Sequence, residues 1–237
     1  MKLTTAKPMA SKACLICSFI GSDITSATQR LRRFISRDHI QYVARNDYHI
    51  PDSYNCKKAL ELVSACSPDH LINHSLRSYA FGIAMAHKIK KPFDKEVFFL
   101  GAIMHDLGLT EEYDKGNTFE IDGAVAARSF CIDHGLTVEK ADLVHEMIAH
   151  HNSVGKAHKM DPEIALLHFG AGADVAGLWI NDIHKKTLSE IISEYPRLDF
   201  KQAFAKLLSE QVERKPESYM KPLLDLGFLK KIQEAPF

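Results

Sequence analysis

From about residue 48 onward, apolar residues recur at three- and four-residue intervals, the spacing of one face of an α-helix. Pro51-Asp52-Ser53 supplies a helix start, and Ala59, Leu60, Leu62 and Val63 carry that helix to about Ser67-Pro68. Leu76, Tyr79, Ala80, Ile83 and His87 predict a second helix from Asn73 to about Lys90, stopped by Pro92. Lys95 to Leu107 is a third, broken by Gly108. After a polar loop at Asp114-Lys115-Gly116-Asn117, a helix spans Glu120 to His134, with Gly135 as its C-cap. Thr137 caps the next, which runs to about His151 with Glu139 in its first turn. Pro162 at a first helical position opens another, to about Ile180. Thr187–Glu194 and Phe200–Arg214 follow, and a last short helix lies beyond Pro216. No stretch alternates with the period of a strand, and there is no internal repeat. The fold class expected is all-α: one helical bundle over residues 48–237, behind an N-terminal extension of residues 1–47.

The extension differs in character. Lys2, Lys7, Lys12, Arg30, Arg32, Arg33, Arg37 and Arg45 face only Asp23, Asp38 and Asp47. Ala27, Leu31, Phe34 and Ile35 hint at one short helix. Cys14 and Cys17 have CxxC spacing, but no second pair completes a zinc ribbon. The run Ala13–Gly21 behind three lysines is short for a signal peptide and lacks an A-x-A site, so the expected location is cytoplasmic.

Composition narrows the function classes. The 237 residues carry 30 Lys+Arg against 30 Asp+Glu, a balance that argues against broad binding of a nucleic-acid backbone. Apolar runs are far shorter than the roughly 18 residues that span a bilayer, so no membrane partner is expected. Five scattered cysteines are no disulfide framework. The unusual count is 13 histidines, which directs attention to metals.

Three polar groups fall where the bundle should be apolar. In the helix from Pro162, Ile164, Leu167, Ala171 and Leu178 form a stripe, and Asp174 lies on it. A buried carboxylate persists when it is paired or binds a metal. The helix from Lys95 ends in His105-Asp106. His74 shares a helix face with Arg77, Ser78 and Phe81. Two imidazoles and two carboxylates from three helices suffice for a divalent metal site, although each alone could be a satisfied buried group.

The order His74, His105-Asp106, Asp174 resembles the HD superfamily, named for its His-Asp doublet, and Ile103-Met104-His105-Asp106-Leu107-Gly108 is similar to its core motif. Ile50-Pro51-Asp52, Asn73-His74-Ser75-Leu76-Arg77, Phe119-Glu120-Ile121-Asp122-Gly123-Ala124, the helix ending in His151 and Tyr195-Pro196-Arg197 resemble the cyanamide-hydratase branch. The likeness covers roughly residues 48–225. It implies an all-α fold and carries over His74, His105, Asp106 and Asp174 as metal ligands. Where some relatives place a further histidine ligand, this chain has Phe119, which favours one metal over two. Zinc is the leading expectation, with iron, manganese and nickel as alternatives. His151 fits the branch's position, whereas His150 reads as its solvated neighbour.

Such a metal would activate water for attack, on a nitrile carbon in the cyanamide branch and on phosphorus in phosphohydrolase members. His151 and Glu120 are the candidates for proton transfer or for orienting substrate. Glu120 could equally cap its helix, and His151 could be a histidine favoured by the helix dipole. Arg77 and Asp122 are the candidates for substrate binding, or they pair with each other. Arg77, Arg128, Lys156 and Lys159 form no evident phosphate cradle, which tilts the expectation to a small polar molecule as substrate. A non-catalytic ligand-binding role stays open, as does a homo-oligomer.

Overall fold

The computed structural model describes residues 40–218 and 220–237. Several helices start where a side chain caps the first turn or a proline removes one of its unpaired N–H groups. Ser53 accepts a hydrogen bond from the Cys56 N–H at 3.1 Å and opens α1 (Tyr54–Cys66). Asp94 accepts from the N–H groups of Glu96 and Val97 at 2.9 and 3.2 Å and opens α3 (Lys95–Met104). Thr137 caps α5 (Val138–His150), and Pro162 occupies the first turn of α6 (Pro162–Ala176). The others are α2 (Asp69–Ala84), α4 (Phe119–Asp133), α7 (Lys185–Glu194), α8 (Phe200–Arg214), α9 (Met220–Asp225) and α10 (Phe228–Gln233). Among the described residues there are ten α-helices and no strand, as the periodicity predicts. No described helix is long and apolar enough to cross a membrane.

Helix α3 is the axis of the bundle. Every residue from Val97 to Met104 is buried, the mark of a helix surrounded on all sides. It packs against α1, α2, α5 and α6, and His105 follows at its C-cap. The chain therefore delivers His105 and Asp106 from the middle of the core. Helices α2 and α6 approach unusually closely because Gly170 lacks a side chain. A Cβ there would sit 1.9 Å from the Ser78 carbonyl oxygen.

Two apolar cores result. The larger lies among α1–α6; the smaller gathers Phe200, Phe204 and Leu208 of α8 with Met220, Leu223 and Ile232, over Leu71, Phe119 and Val175. The C-terminal helices thus form a second layer over one end of the bundle.

Several boundaries differ from expectation. Helix α2 begins at Asp69 and stops at Ala84, because Pro68 serves as its N-cap. Helix α6 ends at Ala176, where Gly177 turns left-handed (φ 64°). Leu178, expected on its stripe, lies past that turn. Two short helices close the chain in place of one. The end of the expected extension is tied to the domain: the Val43 N–H donates to Thr187 Oγ1 at 3.0 Å, the Tyr42 hydroxyl to Glu190 at 2.8 Å, and Arg45 pairs with Glu194 at 2.8 Å. The Cys14/Cys17 pair, the short helix at Ala27–Ile35 and the basic residues through Arg37 lie outside the described residues.

Candidate metal centre

His74 projects from α2, His105 and Asp106 leave the end of α3, and His151 follows the end of α5. Their ring orientations are fixed from behind. Nδ1 of His105 donates to the Ala102 carbonyl at 2.7 Å, and Nδ1 of His151 to the Ile148 carbonyl at 2.7 Å. Nδ1 of His74 donates to Oδ2 of Asp174 at 2.7 Å. Carbonyls and carboxylates only accept, so Nδ1 carries the proton in each neutral ring and Nε2 carries a lone pair. Burial pushes the His74 pKa below its usual value, against the opposing pull of Asp174 and Asp106.

Nε2 of His74 and Nε2 of His105 lie 3.2 Å apart. Two lone pairs at that distance repel unless a cation lies between them. Oδ2 of Asp106 stands 3.5 Å from the first and 3.4 Å from the second. Both Asp106 oxygens are buried and have no hydrogen-bond partner. A tetrahedral centre with bonds of about 2.0–2.1 Å needs ligand atoms about 3.4 Å apart. The donor set of two imidazoles and one carboxylate, and its three edges, therefore fit a divalent metal.

Asp174 is placed differently from the expectation. It stands behind His74 instead of joining His105 and Asp106. Its Oδ1 accepts from Arg77 Nε at 2.7 Å and from Arg197 at 2.7 Å, and its Oδ2 accepts from a second Arg77 nitrogen at 2.9 Å as well as from His74. Burial alone would raise this fully buried carboxylate, but the Arg77 guanidinium and the hydrogen bond from His74 outweigh it and hold the carboxyl well below the ordinary range. A carboxylate hydrogen-bonded to a ligating histidine fixes its tautomer and raises its basicity.

Arg77 and Asp122 do not face the cavity as substrate-binding residues, and they do not pair with each other. Arg77 is wholly buried between Asp174 and the carbonyls of Tyr195 and Pro196, at 2.9 and 3.0 Å. Asp122 accepts from the N–H groups of Lys115 and Asn117 at 2.8 and 3.1 Å and so pins the 110–117 loop. Glu120 is buried at the start of α4 and accepts a short hydrogen bond from Asn152 Nδ2. His151 lines the cavity beside His105, ring centroids 5.0 Å apart. His150 turns away, with its two ring nitrogens on Ser153 and Glu146. Phe119 packs edge-on against His151 at 5.9 Å.

A cavity of about 430 Å³ opens onto the cluster. His74, His105, Asp106 and His151 form its buried floor, and His158 at the rim is exposed. Among the described residues Lys88 is the one lysine or arginine lining it, and it is ion-paired with Asp182. The walls include His168, Trp179 and several apolar residues of α8–α10, none of which the sequence reading singled out. His168 had a signal, since it falls on the Ile164–Ala171 stripe of α6. Arg197 had one too, in the Tyr195-Pro196-Arg197 segment, but its partner Asp174 emerges only from the fold.

An all-α bundle with His74, His105 and Asp106 converging at the end of its central helix is the arrangement of an HD domain. The chain belongs to the HD domain family, whose description matches residues 71–232. It is also similar to two proteins of Saccharomyces cerevisiae, cyanamide hydratase DDI2 and cyanamide hydratase DDI3. Each is 26% identical over 190 residues, covering 77% of this chain and 83% of the yeast protein.

Proposed function

We propose that this HD-domain protein is a hydratase or hydrolase that uses one divalent metal to add water to a small uncharged group, a cyanamide-type nitrile first among the candidates. The observation that carries this reading is the triangle of His74, His105 and Asp106 on the floor of a largely apolar cavity. The names of the two yeast relatives support the substrate class. One lysine already paired with Asp182 is no cradle for a phosphate, which disfavours a phosphoester.

A divalent metal bound there lowers the pKa of water and so supplies a nucleophile at neutral pH. His74, His105 and Asp106 are the ligands, and Asp174 orients His74. Zinc suits this donor set; iron, manganese and nickel are alternatives. Water addition to a nitrile also requires a proton at nitrogen. His151, its Nδ1 proton held on the Ile148 carbonyl, presents an Nε2 lone pair that takes the proton released by the attacking water and hands it to that nitrogen. Glu120 acts through Asn152: holding its amide, it sets how that cavity-lining side chain meets the substrate. The apolar walls keep bulk water from the reacting groups.

The test is direct. Metal-loaded protein is incubated with cyanamide and assayed for urea, beside Asp106→Ala. Urea formation that the variant lacks is the expected result. No urea, together with phosphate release from a phosphoester panel, overturns the reading.

A further inference from the structure

The cavity is far larger than the smallest substrate of this class. Pockets of roughly 300–1,000 Å³ enclose drug-sized ligands, and this one measures about 430 Å³. Cyanamide is a bare N–C–N skeleton and would leave most of that space without a partner. Apolar groups dominate one side of the cavity. His74, His105, Asp106 and His151 form the floor, and Lys88, Asn152, His158 and His168 also line it, whereas Phe119, Phe169, Trp179, Phe204, Leu208 and Leu223 form much of the walls. Those walls are built rather than incidental. Phe204 and Leu208 are one turn apart on α8, and with Leu223 of α9 they belong to the smaller apolar core. Trp179 is held edge-on against Phe169 at 5.0 Å and tilted against His168 at 5.3 Å. Space of this kind holds water poorly and favours apolar atoms, each of which gains dispersion contacts with the wall.

We infer that the substrate carries an apolar body, a branched or cyclic hydrocarbon group, attached to the small polar head that reacts over His74, His105 and Asp106. This rests on the reaction class proposed above and names the part of the substrate that reaction leaves unchanged. The C-terminal layer, α8–α10, is then the specificity element: the floor selects the head and this layer selects the body.

Trp179 makes the inference measurable apart from catalysis. It is the only tryptophan of the chain and lines the cavity, so its fluorescence reports occupancy. Cyanamide and cyclohexylcyanamide, which does not absorb in the tryptophan window, are titrated into wild-type protein with and without metal. Turnover of both is measured in parallel. Burying a cyclohexyl group should lower the dissociation constant on the order of 100-fold relative to cyanamide. Leu208→Phe and Leu223→Phe each narrow the cavity. Either one, shown to be folded by circular dichroism, should weaken cyclohexylcyanamide by at least about ten-fold. Equal or tighter binding of cyanamide overturns the inference. Turnover of cyanamide without binding of the cyclohexyl compound overturns it too, and leaves the proposed reaction standing. Tight binding of the cyclohexyl compound with no turnover of either, under any of the four metals, overturns the reaction and sustains the inference.

Discussion

The imidazole of His74 is held between two carboxylates: Nδ1 donates to Asp174 at 2.7 Å, while Nε2 lies 3.5 Å from Asp106. The two carboxylates differ in their surroundings. Asp174 receives Arg77 and Arg197, whereas neither oxygen of Asp106 has a hydrogen-bond partner. The pair thus divides into a paired carboxylate behind the ring and an unpaired one in front, placed to meet a metal. Asp174→Ala leaves two buried guanidinium groups uncompensated and should lower stability by about 3–5 kcal/mol in chemical denaturation. Asp174→Asn preserves the shape and should weaken metal binding roughly 10–100-fold without abolishing it. Complete loss of metal in a folded Asp174→Asn protein would make Asp174 a direct ligand.

His151 sits one ring beyond His105 with its Nδ1 proton committed to the Ile148 carbonyl. As a proton carrier it should matter to turnover and not to metal content. His151→Ala is expected to lower kcat by roughly 10²–10⁴-fold while bound metal stays at the wild-type level. Parallel steady-state kinetics and elemental analysis check this. Metal lost along with activity would assign His151 to the ligand set.

The layer that covers the cavity is clamped to the bundle by Asp114, which accepts from Lys215 at 2.6 Å and from Arg214 at 2.7 Å. Burial favours the neutral acid, but the hydrogen bonds from Lys215 and Arg214 outweigh it and hold the carboxyl well below its usual range. A folded pKa below the unfolded one stabilises fully above the ordinary aspartate value of about 3.9, and the gain disappears as pH falls through the folded value. Asp114→Asn should therefore be less stable than wild type at neutral pH, with the gap closing on acidification below about pH 4. Denaturation midpoints for both proteins across that range decide it. A gap that is constant with pH would mean that the clamp is not ionic.

The helices were legible where local chemistry marks both ends. Phe200–Arg214 was read with the boundaries the structure has, and Ser53, Asp94, Thr137 and Pro162 open helices at or next to the expected positions. The start of α2 was misplaced because Pro68 offers no capping side chain to notice. His74, His105 and Asp106 could be found because polar residues on apolar faces are costly and therefore conspicuous. The environment of Asp174 could not, since its partners Arg77 and Arg197 meet it only when α2, α6 and the turn before α8 pack together. The cavity walls were hidden for the same reason. An amphipathic helix such as α8 shows that it has an apolar face, not which face it covers. The close approach of α2 and α6 through Gly170 leaves no periodic signal either.

A single divalent metal on His74, His105 and Asp106 is counted by elemental analysis, with wild type beside Asp106→Ala and circular dichroism to confirm that both are folded. About one metal per chain is expected in wild type, in line with a three-ligand site that leaves a position for water, and that metal is lost in the variant. Two metals per chain, or none after reloading, would contradict a single-metal site.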